Sequence, residues 1–269
     1  MSKTIAGHSQ PRNALGICTE EQGAGVRLVC DVAGCWIYAK PEQGLWIGRF
    51  AVSRHRIQGP NPIMNDEYYL RELRVALDPA HSSHALPPRM PPLNQVLDIG
   101  CGAGQTLIAA YGDRVSHGMD NDFSALKLGR TLTCDVRFAC ASAEALPYRS
   151  GHFDMVIARA SLPYCNLPVG VKEIARVLKK GGRTWIVLHP FSEAWKHART
   201  NNWKGWLFFG YIVMNSLLFH FAQKQFSICG RCESFTTERG IRHALRKNGF
   251  SHITVTKNSR RLVVTASLG

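Results

Sequence analysis

The chain has 269 residues, of which 45% are apolar, and its formal net charge is +14. The apolar content is enough to bury a full core, and the length suits one large α/β domain or one domain with an appendage. Residues 179–269 hold 15 Lys and Arg against three acids, so nearly all the excess charge lies in the last third. A surface of this kind attracts nucleic acid, anionic lipid or an acidic substrate, unless it is a solvated face without a partner.

The N-terminus and the cysteines argue against a secreted protein. Residues 2–10 are polar, so no apolar run near Met1 resembles a signal peptide. Nine cysteines are scattered along the chain, several of them in apparent core strands. Buried, reduced thiols in a cytosolic protein fit this pattern better than disulfides do. We therefore predict a cytoplasmic protein.

Residues 1–60 carry mixed signals. Apolar alternation around 27–30 and 35–39 is set among many turn formers, which predicts short strands. We expect an irregular or small β lobe here.

A helix and a linker are expected over 61–92. Asn65 or Asp66 can cap the helix, which the sequence predicts over 65–77. The apolar residues that recur there at helical spacing are Tyr69, Leu70, Leu73 and Leu77. Residues 78–92 are rich in Pro, Ser and His and are typical of a linker.

An apolar strand then runs into three glycines at alternate positions, Val96-Leu-Asp-Ile-Gly-Cys-Gly-Ala-Gly104. Glycine can adopt positive φ, and without a Cβ it lets the backbone lie against a ligand at the mouth of a sheet. The loop therefore indicates a nucleoside-type cofactor. The dinucleotide fingerprint G-x-G-x-x-G would need glycine at position 105, which is Gln105.

Strands and helices alternate from residue 93 onward, which is typical of a doubly wound sheet. The strands are predicted at 95–99, 114–120, 136–140, 153–158 and 183–189, and the helices at 103–111, 124–133 and 169–178.

The end of the chain completes the sheet. Thr236 or Thr237 can cap a helix over 239–247, which Gly249 terminates. Strands 251–256 and 261–267 follow, and the turn between them is short enough to demand antiparallel pairing. We predict an α/β fold with a mostly parallel, seven-stranded sheet.

An apolar, helical insertion, 192–232, follows the fifth strand. Its centre, 206–221, has three polar residues in sixteen. The basic residues that flank it are Lys196, Arg199, Lys204 and Lys224. It is shorter than the about 20 apolar residues of a confident transmembrane span. We favour a cap over the strand ends; peripheral membrane contact through 204–224 and a dimer contact are the alternatives.

The spacing D-x-G-x-G-x-G at 98–104, followed by Asp120 at the end of the next strand, resembles motif I of the class I S-adenosylmethionine (SAM) dependent methyltransferases. Residues 140–148, 151–158 and 172–188 resemble the third-to-fifth-strand region of the type 11 methyltransferases, which are grouped with ubiquinone and menaquinone biosynthesis enzymes. The resemblance spans about 170 residues and implies a Rossmann-like, SAM-binding methyltransferase domain over 93–269.

The resemblance implies which residues bind SAM. Asp120 would accept hydrogen bonds from the ribose hydroxyls. The segment after the third strand would line the adenine, and the family usually has Asp where this chain has the shorter, uncharged Ser142. The predicted cofactor-binding residues are Asp98, Gly100, Cys101, Gly102, Gly104, Asp120, Asn121, Ser142, Ala143 and Glu144.

SAM carries its own electrophile, so the protein mainly aligns the reactants and excludes water. Arg159, Tyr164 and His189 are the catalytic candidates, because each lies at or beyond the end of the fourth or fifth strand. His189 is the first choice for a general base or substrate contact, since the pKa of histidine lies near working pH. A hydrogen-bonded structural histidine and a structural salt bridge at Arg159 are the alternatives.

The cysteines do not make a convincing zinc site. Cys229 and Cys232 have ligand spacing, and Cys30 with Cys35 is a looser pair. A zinc site of this kind has two C-x2-C pairs, and the sequence has one. We predict no metal and free thiols.

Three functions fit these observations. The leading hypothesis is methyl transfer from SAM to a small, lipophilic molecule, favoured by the apolar insertion and the type 11 resemblance. An RNA (rRNA or tRNA) methyltransferase is favoured by the basic last third and would bind with steep salt dependence. A non-catalytic SAM-fold binding protein is raised by Ser142. The sequence does not fix the acceptor atom or the oligomeric state.

Overall fold

The computed structural model describes residues 65–81, 83–88, 95–189, 191, 195, 203–228, 232–257 and 261–269, apart from the side chain of Lys204, and the backbone of 18–22, 26–31 and 34–39. The chain divides into two compact units, 1–56 and 57–269. The limits of the three domains expected from the sequence stay a prediction.

The first unit contains a three-stranded antiparallel sheet. Its strands are β1 (Cys18–Gln22), β2 (Val26–Asp31) and β3 (Gly34–Ala39), paired in that order. The two strands predicted around 27–30 and 35–39 are confirmed. We did not predict β1, because its sequence Cys-Thr-Glu-Glu-Gln has no apolar alternation.

The second unit begins with helix α1 (Asp66–Leu77). The predicted helix is confirmed, and Asn65 is its cap: the Asn65 side chain accepts a hydrogen bond from the Tyr68 amide at 3.0 Å. Tyr69 is buried, whereas Leu77 at the far end is exposed. Ala76 is buried as well, so one face of the helix packs along its whole length.

A seven-stranded sheet forms the centre of the second unit. Its strands are β4 (Val96–Ile99), β5 (Ser116–Asp120), β6 (Val136–Cys140), β7 (Phe153–Arg159), β8 (Leu178–Leu188), β9 (Phe250–Lys257) and β10 (Leu262–Leu268). The spatial order is β6-β5-β4-β7-β8-β10-β9. Strand β10 is antiparallel to both of its neighbours, and the pairs among β4 to β8 are parallel. The predicted α/β fold is confirmed.

Helices connect the strands and cover both faces of the sheet. They are α2 (Gln105–Tyr111), α3 (Phe123–Leu132), α4 (Leu167–Val177), α5 (Trp203–Ala222) and α6 (Glu238–Lys247), with a short 3-10 turn at Leu162–Tyr164.

Side chains of the central strands alternate between two buried clusters, as the period of two along a strand requires. In β7, Met155 and Ile157 face the cluster that contains α2, whereas Val156 and Ala158 face the cluster that contains α4 and α6. Strand β8 repeats the pattern. Both faces are therefore apolar, which explains why these strands read as continuous hydrophobic runs.

Several element boundaries differ from the sequence prediction by one to five residues, and glycines explain two of them. Helix α2 begins at Gln105 and not at 103, because Gly104 adopts φ +86° and cannot lie within a right-handed helix. Strand β8 begins at Leu178, directly after α4, and not at 183. Gly181 and Gly182 conceal that early start, since glycine is depleted in strands.

Capping chemistry sets the last helix. The Thr237 hydroxyl accepts a hydrogen bond from the Gly240 amide at 3.1 Å, and Gly249 follows the helix at φ +85°. These positions match the predicted cap and terminator. The terminal antiparallel hairpin of β9 and β10 is also confirmed.

Candidate functional site

The site is an edge of the seven-stranded sheet. The glycine loop, residues 100–104, leaves the carboxyl end of β4, where the strand order reverses between β5 on one side and β7 on the other. Asp120 ends β5, Ser142 follows β6, Arg159 ends β7 and His189 follows β8. Because these strands are parallel, all of these residues meet at one edge, as ligand sites of open α/β sheets do.

Glycine is required in the loop for steric reasons. Gly100 has φ +71°, and a Cβ there would overlap the side chain of Ser161. The Ser161 hydroxyl is itself held in place, since it donates to the Ile99 carbonyl at 2.6 Å. Gly102 has φ +55°, and a Cβ there would lie 3.0 Å from the ring of Tyr69. The glycine loop therefore lies in close contact with the carboxyl end of β7 on one side and with α1 on the other.

The loop amides donate within the protein. Those of Gly100 and Cys101 donate to the Met119 carbonyl at 2.7 and 3.0 Å. That of Gly102 donates to Oδ2 of Asp120 at 2.7 Å. A pyrophosphate cradle would point such amides at the ligand. The loop therefore fits a nucleoside ligand without phosphates.

The carboxylate of Asp120 can still accept hydrogen bonds from a ligand. Its Oδ1 accepts the Asp122 amide at 2.9 Å, and its Oδ2 accepts the Gly102 amide. Burial raises the pKa of Asp120, and these amide donors oppose the rise. A carboxylate oxygen has two lone pairs, so each oxygen can accept one further hydrogen bond, for example from a sugar hydroxyl.

Asp98 is a buried carboxyl with an unsatisfied oxygen. It is 1% exposed, and its Oδ1 has no hydrogen-bond partner among the residues that the structure describes. Burial raises the pKa of Asp98 to about 8, Arg159 opposes the rise, and the charge of Asp120 adds to it. A strongly perturbed carboxyl beside a glycine loop is a candidate ligand-binding group. Its missing partner would be a donor or a cation.

Cys101 points away from the loop surface. A Cβ added at Gly118 of β5 would lie 2.8 Å from the Cys101 sulfur, so the thiol lies against the sheet. Burial raises the pKa of Cys101, which keeps it protonated. Any contact of this residue with a cofactor at the sheet edge would use its backbone.

The predicted adenine segment folds into a tight turn after β6. The Ser142 hydroxyl accepts the Glu144 amide at 3.2 Å. The Glu144 carboxylate accepts the Asn166 amide at 2.8 Å and so anchors the start of α4. Ala143 packs against the main buried cluster, and Asn121 is exposed beside Cys140. The segment is ordered by its own side chains.

Helix α1 covers the glycine loop. The Tyr69 hydroxyl donates to Oδ2 of Asp122 at 2.8 Å, and the Gln105 side chain donates to the Tyr69 carbonyl at 3.3 Å. Arg159 forms an ion pair with Glu72 at 3.3 Å. Tyr69 and Glu72 are not recognisable as site residues from the sequence, because helical spacing does not show which strand ends a helix crosses. The ion pair gives Arg159 a structural role, one of the alternatives that the sequence allows.

The second half of the edge is aromatic. The rings of Tyr164 and His189 meet edge to face at 6.1 Å, and Tyr164 is 55% exposed. A group of five aromatic rings begins two residues beyond His189. The centroids of neighbouring rings in this group lie 5.1 to 6.1 Å apart. We call it the aromatic cluster; its members are Phe191, Trp195, Trp206, Phe209 and Phe235.

Residues 97–186 match the family model of the type 11 methyltransferase domain. This segment contains the glycine loop, Asp120 and the turn after β6. The chain is a SAM-dependent methyltransferase, and this third of it resembles the type 11 family.

Relatives of this methyltransferase include enzymes named for quinone biosynthesis. The ubiquinone/menaquinone biosynthesis C-methyltransferase UbiE of Rhizobium rhizogenes is 27% identical over 213 residues, which cover 75% of this chain and 81% of UbiE. The demethylmenaquinone methyltransferase of Renibacterium salmoninarum is 35% identical over 104 residues, 38% of this chain and 43% of that protein. The crystal structure of YcgJ from Bacillus subtilis has a TM-score of 0.45 at 17% identity and covers 65% of this chain and 92% of YcgJ.

The cofactor of the family is SAM, and the residues present fit it. Gly100 and Gly102 leave no room for side chains, Asp120 can accept the ribose hydroxyls, and the unsatisfied oxygen of Asp98 can face a cationic group. SAM has both a sulfonium and an ammonium. Which atom of SAM each residue contacts stays a prediction for all ten of the cofactor-binding residues proposed from the sequence.

Two predictions about metals and thiols concern residues that the structure describes in part. Among the described residues, Cys101, Cys134, Cys140, Cys165 and Cys232 form no disulfide. Cys229 lies outside the described residues, as do the side chains of Cys30 and Cys35.

Proposed function

We propose that this methyltransferase transfers a methyl group to a small, lipophilic acceptor that binds beside Tyr164 and His189, against the aromatic cluster. The observation that carries the proposal is the position of that cluster. It begins two residues after the histidine that follows β8, so it adjoins the edge of the sheet where SAM would bind. Aromatic rings contribute large contact areas to ligand pockets and favour flat, apolar ligands.

The relatives support the class of acceptor. One is named a ubiquinone/menaquinone biosynthesis C-methyltransferase, and another a demethylmenaquinone methyltransferase. A flat quinone-type ring with an apolar tail would match an aromatic pocket. We therefore propose a phenol or quinone precursor as the acceptor, methylated at carbon.

Different residues of the chain would bind the cofactor, orient the acceptor and accept a proton. Bound SAM supplies the electrophilic methyl group. Asp98 and Asp120 hold and orient the cofactor from one half of the edge, and the aromatic cluster orients the acceptor and excludes water from the other. The ring nitrogens of His189 can take the proton that an acceptor phenol or ring carbon loses. Tyr164, in edge-to-face contact with that ring, would restrict its orientation.

Acceptor classes and site variants together test the proposal. Labelled SAM is incubated with the protein and, separately, with a demethylated quinone precursor, bulk RNA and a polar phenol. We expect label in the quinone precursor. Trp195→Ala and Phe235→Ala should each raise the KM for that acceptor about 10- to 100-fold, since an aromatic side chain buried against a ligand contributes ~1.5–3 kcal/mol. The Kd for SAM, measured by calorimetry, should not change.

Phe208→Ala is the matched control. Phe208 lies on the same helix as Trp206 and Phe209 but packs on Tyr211 and has no ring contact with the cluster. It should leave the acceptor KM unchanged. Label in RNA, or equal effects of all three substitutions, would refute the proposed acceptor site.

A further inference from the structure

Helix α5 presents an apolar stripe to solvent. Its residues recur at alternating spacings of four and three along the whole helix: Trp203, Leu207, Gly210, Met214, Leu217 and Phe221. We call this set the outer stripe. Trp203, Leu207 and Phe221 are 66%, 65% and 75% exposed, and Met214 and Leu217 are half exposed. A continuous exposed apolar surface of this length marks a place where something binds.

The opposite face of α5 is fixed to the protein by polar bonds. The Asn215 side chain accepts the Phe226 amide at 3.1 Å and donates to the Phe226 carbonyl at 2.9 Å. The Ser216 hydroxyl accepts the Phe235 amide at 3.0 Å. By length and composition the helix could cross a membrane, with one third of the stretch Gly205–Ala222 buried inside the protein. Spanning would break these bonds, whereas the outer stripe can meet an apolar phase with these bonds intact.

Positive charge adjoins one end of the stripe. The C-terminal end of α5 contacts the start of α6, since a ring nitrogen of His220 lies 2.7 Å from the Thr237 hydroxyl and the Gln223 side chain donates to the Gly240 carbonyl at 3.2 Å. Side chains on the exposed face of helix α6 border a shallow, open surface groove. Its lining residues are Glu238, Arg239, Arg242, His243 and Arg246. Glu238 pairs with Arg242, which leaves the groove with a net positive charge.

We propose that the outer stripe of α5 and the basic groove of α6 together dock this protein on an anionic lipid bilayer, with α5 lying in the plane of the membrane interface. The stripe would enter the boundary between headgroups and acyl chains, and the groove would take lipid phosphates. Trp203 stands at one end of the stripe, and its amphipathic ring suits the headgroup level.

Charge favours a bilayer over a second copy of the chain. Residues 203–247 hold seven Lys and Arg against two Glu. Pairing two stripes would bring two such segments together, and their like charges would repel. An anionic bilayer attracts the same segment. The inference adds to the proposed function without depending on it, because docking requires neither SAM nor an acceptor.

Vesicle flotation of the full chain tests the docking surface. Phosphatidylcholine vesicles are compared with vesicles that also contain phosphatidylglycerol, without SAM or acceptor. We expect binding to the mixed vesicles that weakens with salt. Leu207→Gln with Leu217→Gln should lower the partition coefficient at least about tenfold, because both side chains would leave the apolar phase. Arg239→Gln with Arg246→Gln should lower it about tenfold on the mixed vesicles and leave the weak binding to phosphatidylcholine unchanged.

Val115→Gln is the matched control. Val115 is an equally ordinary exposed apolar residue, 48% accessible, but it precedes β5 at the amino edge of the sheet, and its substitution should not alter flotation. SAM binding of every variant, measured by calorimetry, reports whether the fold is intact. Vesicle binding that survives the double leucine substitution would overturn the proposal. So would a dimer in sedimentation velocity that the same substitution dissociates while the parent protein ignores vesicles.

Discussion

The two halves of the sheet edge consist of different chemical groups, backbone in one half and aromatic side chains in the other. The cofactor half, from the glycine loop to the turn after β6, is backbone folded on itself, with amides donating to Met119 and Asp120. The acceptor half, beyond β8, is made of large rings that contact one another. Backbone geometry admits few sequences, whereas a group of rings can be rearranged with modest change in stability. The cofactor half therefore suits a ligand of one invariant structure, whereas the acceptor half suits ligands of differing structure.

The largest expected effect lies in the cofactor half, at Gly100→Ala. The substitution combines positive φ with an overlap against Ser161. We expect loss of detectable SAM binding and a decrease of about 2–5 kcal/mol in the free energy of unfolding, from strain and overpacking together. Calorimetry and denaturant unfolding measure the two effects.

Gly151→Ala is its matched control. Gly151 has φ +63°, but nothing lies within 4 Å of an added Cβ. It should lose about 1–2 kcal/mol of stability and bind SAM normally. Equal effects at the two positions would mean that strain alone, and not the fit of the loop, makes Gly100 necessary.

Asp98→Asn should change binding and stability in opposite directions. In the ligand-free protein the Asp98 pKa is about 8, against an ordinary value of 3.8. The folded protein holds this proton while the unfolded chain has lost it, so stability falls as pH rises from about 4 to about 8. Asparagine removes that dependence and should raise the melting temperature most at the upper end of the range. The Kd for SAM should rise about 10- to 100-fold, because no carboxylate then faces the cation.

Proton release provides the check on this prediction. Binding of a cation that ionises Asp98 should release a proton below about pH 8, which calorimetry detects as a dependence of binding heat on the buffer. Asp98→Asn should lose that dependence. A melting-temperature difference between variant and parent that is the same at all pH values would contradict the assigned role.

The smallest expected effect is that of Glu72→Gln, a substitution in helix α1, which covers the cofactor half. The Glu72–Arg159 pair is partly exposed, so its loss should cost about 1 kcal/mol or less of stability. The Kd for SAM should rise only a few-fold, as α1 loosens over the loop. The control is Asp113→Asn, which breaks the more exposed pair with Arg114 and should change neither quantity. A large loss of SAM affinity in Glu72→Gln would show that Arg159 serves the ligand directly.

The same contrast explains what the sequence could predict. The strand before Gly100, the glycine spacing and the acid at Asp120 follow local rules of φ, burial and strand direction, and all of them lie as expected. The contact of Tyr69 with Asp122 joins residues 53 positions apart, which no local pattern encodes. The aromatic cluster likewise unites Phe191, Phe209 and Phe235 from separate segments. Their apolar character was evident in the sequence, but their convergence was not.

The side chain of Asn215 has a consequence for the order in which the molecule assembles. It bonds both the amide and the carbonyl of Phe226 and also donates to the Glu233 carbonyl at 3.3 Å. The Asn215 side chain thus fixes the path of the segment that follows α5. The hydrogen bonds of the side chain and those of the Phe226 backbone form together, and neither group has these partners without the other. Helix and following segment should therefore open and close as one cooperative unit, distinct from the strands that carry the glycine loop.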